Sequence, residues 1–417
     1  MASGKNNNGM RSRHAVGNGG DMKNTTRALM ASALTVIGLQ ANAADDSITI
    51  AHVAGFTGPL EAYTQQLQHG MELGFEYATD GSNELLGKKI NLITKDTQLK
   101  APRARALLAE AYTQDDATIA VGDVSSGVAL AMLPVAAQYQ KLLIPEGVAD
   151  SITGANYNRY VVRVGRNSSQ DAISNAAAVA DEGVCISTLA QDYAFGRDGV
   201  AAYTKAAKAR GAEIVKEVYL PAETTDFTAA AQRLFDTLKG RDDCEEKYIF
   251  TIWAGKGNPM SRIQDLQPER FDIKLTTGGN IIPALVAYKQ FPGMEGATYY
   301  YYENPNNDVN DWLVEQHQAR FDGPPDFFTA QGMAQAMAIV AAIKKAGSTD
   351  TEALIEAFEG LDFESPKGTM HIRAADHQAM QPMYHFKIKV EDGVEWAVPE
   401  LVREIPASEM EIPVDNG

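Results

Sequence analysis

From residue 48 onward the chain alternates short apolar, β-branched runs with longer stretches whose apolar positions recur at helical spacing. Residues 48–54 (ITIAHVA) read as a strand. In 63–78, Leu67, Met71, Phe75 and Ala78 fall on one face of a helix. Strands at 89–95, 117–121 and 141–144 then alternate with helices at 101–113 and 128–139. The pattern restarts at 160–164 (YVVRV). Strands at 184–189, 213–219, 248–253 and 274–277 interleave with helices at 170–180, 201–210 and 228–239. Such alternation predicts an α/β chain of βαβ units, with parallel sheets covered on both faces. The restart places a boundary between two doubly wound lobes near 164–169. After Ala297 a turn-rich tract (TYYYYENPNNDVND) leads to helices at 311–321 and 329–346. Late β-rich runs at 369–372 and 384–390 close the chain.

The segment ahead of the first strand has a different pattern. Met22, Lys23 and Arg27 form a cationic stretch, 28–39 (ALMASALTVIGL) is apolar, and Ala41-Asn42-Ala43 is a small-x-small site. That order is a secretory signal, cleaved after Ala43, and its apolar run is too short to span a bilayer. The chain beyond Ala43 is long for one core and suits two lobes.

The formal charge of −17 argues against nucleic-acid partners, which select basic surfaces, and against docking on anionic lipid. Cys185 and Cys244 are the only cysteines. In an exported chain they read either as one disulfide or as two buried thiols. In a doubly wound sheet their strands are neighbours, which favours a bridge. His371, His377 and His385 have spacings that match no metal motif, and read as surface residues. There is no GxGxxG after a strand, no GxxxxGK[ST] and no GxSxG. No enzyme class and no cofactor is therefore expected.

In open parallel sheets, ligands bind beyond the carboxyl ends of the strands. The first-lobe loops there carry Phe56 with nearby Tyr63, then Ser125-Ser126-Gly127, then Glu146-Gly147-Val148-Ala149. The second-lobe loops carry Asp192-Tyr193-Ala194-Phe195, then Trp253, then Gly278-Gly279-Asn280. Two serines at a helix start offer hydroxyls and free backbone N–H groups to an anion, although a serine there also commonly caps its helix. Phe56, Tyr63, Tyr193, Phe195 and Trp253 would give the cleft aromatic walls, or pack in a core.

Several of these segments together resemble type I periplasmic solute-binding proteins of ABC transporters, the branched-chain amino acid (Leu/Ile/Val)-binding family. They are the opening strand with Thr57-Gly58-Pro59, the Ser125-Ser126-Gly127 loop, Ala149-Asp150-Ser151, Asp192-Tyr193-Ala194-Phe195-Gly196, and Pro366-Lys367-Gly368-Thr369. The resemblance implies two lobes joined by a three-crossover hinge: a leader at 1–43, a first lobe at 44–165, a second at 166–300, a return to the first at 301–368, and a crossover with a closing segment of the second at 369–417. It implies a periplasmic, monomeric carrier that closes on a small molecule and docks transiently on a membrane ABC permease. The Ser125-Ser126 loop would hold a ligand carboxylate. Ala149 stands where such proteins usually have a threonine, and Asn280 where a second-lobe acid usually pairs with an α-ammonium; Glu146 is the substitute acid. The ligand is thus a branched-chain amino acid or relative, or an aromatic or other carboxylate or amide without the ammonium. A ligand-sensing regulator on the same fold is the alternative of another class.

Overall fold

The computed structural model describes residues 47–255 and 257–415. The expected leader lies outside the described residues.

The first sheet has the order β2-β3-β1-β4-β5. Its strands are β1 (Ser47–Ala54), β2 (Glu84–Leu85), β3 (Lys88–Asp96), β4 (Ile119–Val121) and β5 (Leu142–Ile144), and only the β2–β3 pair is antiparallel. β1 is buried along almost its whole length, as a central parallel strand covered on both faces must be. Helices α1 (Glu61–Ala78), α2 (Ala101–Thr113) and α3 (Ser126–Tyr139) connect these strands.

The second sheet has the order β7-β6-β8-β9 and is wholly parallel. It is built from α4 (Ser168–Val179), β6 (Val184–Gln191), α5 (Ala194–Ala209), β7 (Glu213–Leu220), α6 (Thr228–Leu238), β8 (Glu246–Ile252), α7 (Met260–Gln264), β9 (Ile273–Thr277) and α8 (Ile282–Tyr288). β6 and β8 are neighbours, and Cys185 on β6 is disulfide-bonded to Cys244 just ahead of β8, with Cα atoms 5.8 Å apart.

The remaining elements are β10 (Glu295–Thr298), α9 (Asp308–Phe321), α10 (Phe327–Ala346), α11 (Thr351–Phe358), β11 (Asp362–Ser365), β12 (Gly368–Ile372), β13 (Ala379–Met380), β14 (Met383–Lys389) and β15 (Val398–Ile405). β10, β14 and β15 form an antiparallel sheet, and β11, β12 and β13 another. α10 lies against α1 so closely that a Cβ on Gly332 would stand 2.1 Å from the Leu67 carbonyl oxygen. This seam returns the late helices to the first lobe.

The apolar cores show where the chain changes lobes. Tyr299 and Tyr300 belong to the first-lobe core, and Tyr301 to the second. Met383 packs in the first and Phe386 in the second. The tail 369–417 does not join the second lobe as a unit. Met370, Ile372, Ile405, Met410 and Ile412 pack in the first core, whereas Phe386, Ile388 and Val398 pack in the second. The β14–β15 hairpin is long enough to carry side chains into both.

Two further expectations are corrected. The run 160–164 is no strand of a sheet: Val161 and Arg163 make isolated bridges to Leu143 and Gln378. Its apolar character comes from passing between lobes while buried. There Arg163 donates to Gln378 Oε1 (2.5 Å) and the Ala149 carbonyl (2.7 Å), and burial pushes its guanidinium down to about 10. Of the three late histidines only His371 lies at the surface. His377 and His385 are buried and bond to the Val161 carbonyl and to Glu295.

Candidate functional site

One cavity sits where the carboxyl edges of the two parallel sheets face each other. It holds about 980 Å³ of space unfilled by atoms, part of it open to solvent. The first lobe contributes Leu60, Tyr63, Val124, Ser126, Glu146, Val148, Phe327 and Phe328. The second contributes Asp171, Tyr193, Phe195, Tyr203, Trp253 and Asn280, and Arg166 and Tyr299 lie on the segments between.

Ser126 opens α3. Its hydroxyl accepts from the backbone N–H groups of Val148 and Ala149, both at 3.2 Å. With its lone pairs engaged, the hydroxyl is left to donate its proton. Ser125 occupies the N-cap position but makes no side-chain cap; its N–H donates to Asp123 Oδ1 (2.8 Å). Asp123 is buried, also accepts from Thr97 Oγ1 (2.5 Å), and is pushed up to about 6, burial being the main cause.

Glu146 is fully buried. Its carboxylate oxygens lie 3.1 and 3.4 Å from His52 Nε2. Across the cavity, Arg166 Nε donates to both oxygens of Asp171, at 2.8 and 3.0 Å, while its guanidinium lies 4.5 Å from the centre of the Phe327 ring. The walls are aromatic. Tyr63 stacks on Phe328 at 4.4 Å, Tyr203 on Phe250 at 3.8 Å, and Trp253 meets Phe227 edge-on at 5.2 Å. Among the described residues, five buried polar atoms of the lining make no hydrogen bond: Glu146 Oε1, which instead faces His52 Nε2, and Tyr203 Oη, Tyr299 Oη, Trp253 Nε1 and Thr251 Oγ1. The last four can each donate a hydrogen bond. Buried donors without partners are costly, so their clustering in one cavity marks a place built for something that supplies acceptors.

Contacts also cross the mouth. Tyr63 Oη accepts from the Gly255 N–H at 2.8 Å and lies 3.4 Å from Asn280 Oδ1. Asp326 caps α10 and its Oδ2 accepts from Ile282 N (2.9 Å), at the start of α8; burial pushes its carboxyl up to about 6. Gly255 has φ +73°, and a Cβ there would come 2.8 Å from a Leu60 methyl, so the close approach of the lobes depends on glycine.

Eight of the residues expected from the sequence meet in this lining: Tyr63, Ser126, Glu146, Val148, Tyr193, Phe195, Trp253 and Asn280. Five do not. Phe56 turns its ring to His52 (centroids 5.0 Å apart). Ser125 is held by Asp123. Gly147 lies behind Ser126, with no room for a side chain. Ala149 is buried and serves Ser126 through its N–H. Asp192 points outward to Arg197, at 2.6 Å. Arg166, Asp171, Tyr203 and Tyr299 were missed. Arg166 had a visible signal, a cation just ahead of a helix with an acid five residues on. Tyr203 had none, because it lies mid-helix.

Two open α/β lobes closing on a lined cavity define a receptor for a small solute. The chain matches the model of the periplasmic binding protein family over residues 47–394, and it belongs to that family. A solved ABC-type branched-chain amino acid transporter protein from Rhodopseudomonas palustris CGA009 is 57% identical, covering 89% of this chain and 100% of that one, with a TM-score of 0.80. A Leu/Ile/Val-binding protein homolog 6 of Brucella suis is 23% identical, over 87% of this chain and 93% of its own. A solute-binding protein of an ABC transporter from Rhodopseudomonas palustris BisB5, solved with 3,4-dihydroxybenzoic acid, is 25% identical over 87% of this chain and 98% of that one, with a TM-score of 0.75. The protein is a substrate-binding component of an ABC transporter.

Proposed function

We propose that the cavity between the lobes is the cargo site, and that the protein carries a small carboxylate-bearing solute unchanged to its permease. The observation that supports this most is the group of unpartnered donors inside aromatic walls. Ser126 and the neighbouring loop hold the polar end of the solute, with Arg166 close by. Trp253, Tyr193, Phe195 and Tyr203 pack its body. Relatives on this fold include one named for branched-chain amino acids and one solved with an aromatic acid, and the cavity suits the body of either. The carrier acts as an exported monomer in the periplasm. Among the described residues, its lobes take those up to 165 with 301–368 on one side and 166–300 on the other, and the tail up to 415 is shared between them.

A thermal-shift screen of aliphatic and aromatic acids, amino acids and amides, followed by calorimetry on Trp253→Ala, tests the reading. One-to-one binding that weakens in Trp253→Ala, with the solute recovered unchanged, is the expected result. Binding indifferent to Trp253→Ala overturns the site, and a recovered product overturns the carrier.

A further inference from the structure

Glu146 stands in the cavity where an ammonium group would find a counter-ion, but it already has one. The hydrogen-bond network behind it fixes the protons. Gln68 Nε2 donates to Glu72 Oε1 at 2.8 Å, so Gln68 Oε1 is the atom facing His52 Nδ1, also at 2.8 Å. An amide oxygen only accepts, so Nδ1 carries a proton. A neutral imidazole would then present a bare Nε2 to Glu146, and two acceptors would face each other at 3.1 Å. One further proton must lie between them, on His52 or on Glu146. In both arrangements the pair is neutral as a unit. Burial works against the imidazolium, but the charge and hydrogen bond of Glu146 outweigh it and hold His52 above its usual value. The next acid, Asp123, lies outside the lining and is occupied by Thr97 and Ser125.

The other carboxylate of the lining, Asp171, has both oxygens on Arg166. Each acid in the cavity thus has its cation within the chain. The other polar atoms left over, on Tyr203, Tyr299, Trp253 and Thr251, can all donate, although the three hydroxyls can accept as well. Such a cavity offers donors to a carboxylate and has no carboxylate free for a cation.

We propose that the cargo is a small carboxylate or 2-oxo carboxylate with an apolar body and no ammonium group, and that His52 decides this by neutralising Glu146 from behind the cavity. The inference rests on the reading of the cavity as the cargo site. His52 does not line the cavity, so it is a positioning residue acting through Glu146.

Matched ligands that share one body test it. They are 4-methylpentanoate and 4-methyl-2-oxopentanoate against L-leucine, and 3-phenylpropanoate and phenylpyruvate against L-phenylalanine, measured by calorimetry on the full-length mature protein. In the wild type at least one acid binds more tightly than its amino acid by about tenfold or more, the scale of one hydrogen bond to a charged group. His52→Gln takes away the cation that offsets Glu146 and narrows that ratio by about tenfold. Adding Glu146→Gln to it restores the acid preference, a rescue that a merely structural role for His52 would not produce. If His52→Gln fails to fold, the wild-type ratio and the ratio in Glu146→Gln alone, which must still favour the acid, carry the test. A wild type in which no acid binds more tightly than its matched amino acid, a ratio unmoved in folded His52→Gln, or no binding by any of the four acids overturns the proposal. If L-leucine or L-phenylalanine binds instead, and Trp253→Ala weakens it, the cargo site stands while this proposal falls.

Discussion

The hydroxyl of Tyr63, on α1, accepts a hydrogen bond from the backbone N–H of Gly255, in the loop after β8, at 2.8 Å. It joins the two lobes directly across the mouth of the cavity. A hydrogen bond of this length exists only when the lobes are close together, and because neither residue carries charge it is little screened by salt.

Tyr63→Phe removes the acceptor and leaves the Gly255 N–H without a partner in the closed form, a cost of about 1–3 kcal/mol. Closing then becomes less favourable, and affinity for the best cargo falls by roughly tenfold. Gly255→Ala acts in the same direction, because its Cβ meets Leu60 at 2.8 Å. Small-angle scattering of the cargo-loaded protein should show a larger radius for both variants. An unchanged affinity and radius would remove this contact from the closing mechanism.

Trp253→Ala opens a large apolar gap in the second-lobe wall. Phe or Trp truncation in a packed site costs about 3–5 kcal/mol, shared here between the fold and the cargo. An aromatic acid should lose more affinity than an aliphatic acid of similar size, because only the former presents a ring to the indole. Equal losses measured by calorimetry would show that the indole is core alone.

The Cys185–Cys244 bridge closes a loop with a sequence separation of 59 residues. Restricting the unfolded chain over a loop of that size contributes up to about 4 kcal/mol. The Cys185→Ala, Cys244→Ala double variant should lose about 2–4 kcal/mol in urea denaturation, and reductant should lower the melting temperature of the wild type but not of the variant. Indifference of the wild type to reductant would contradict this.

Asp123 gives the stability a pH dependence. Its folded carboxyl titrates at about 6, whereas an unfolded aspartate titrates near 3.9. The folded chain therefore holds this proton more tightly, so the contribution is fully present below about pH 4 and is lost as pH rises to about 6. Asp123→Asn keeps an acceptor for the Ser125 N–H and turns a donor toward Thr97 Oγ1. It should be more stable than the wild type at pH 7.5 by about 1–3 kcal/mol, and the difference should vanish near pH 4. A difference that is the same at both pH values would refute the assignment.

How much of this was legible depends on the range over which each feature is set. The helices and buried strands are local, and 48–54, 63–78 and 184–189 were readable because apolar periodicity reports burial directly. The rule that ligands meet strand ends picked out Ser126, Glu146, Tyr193 and Trp253, which line one cavity, from sequence position alone. It does not say which way a loop side chain turns. Asp192 and Tyr193 are adjacent, yet the first pairs with Arg197 outside while the second lines the cavity.

The sequence by itself determined the two α/β lobes and the loops that would face each other, because those arise from short-range patterns of apolar residues. Only the tertiary structure decided the charge of the cavity. His52, Gln68 and Glu146 come from β1, α1 and the loop after β5, whereas Arg166 and Asp171, five residues apart, pair locally. An ion pair depends on distances of a few ångströms between groups far apart in the chain, and no pattern along one strand or helix records them.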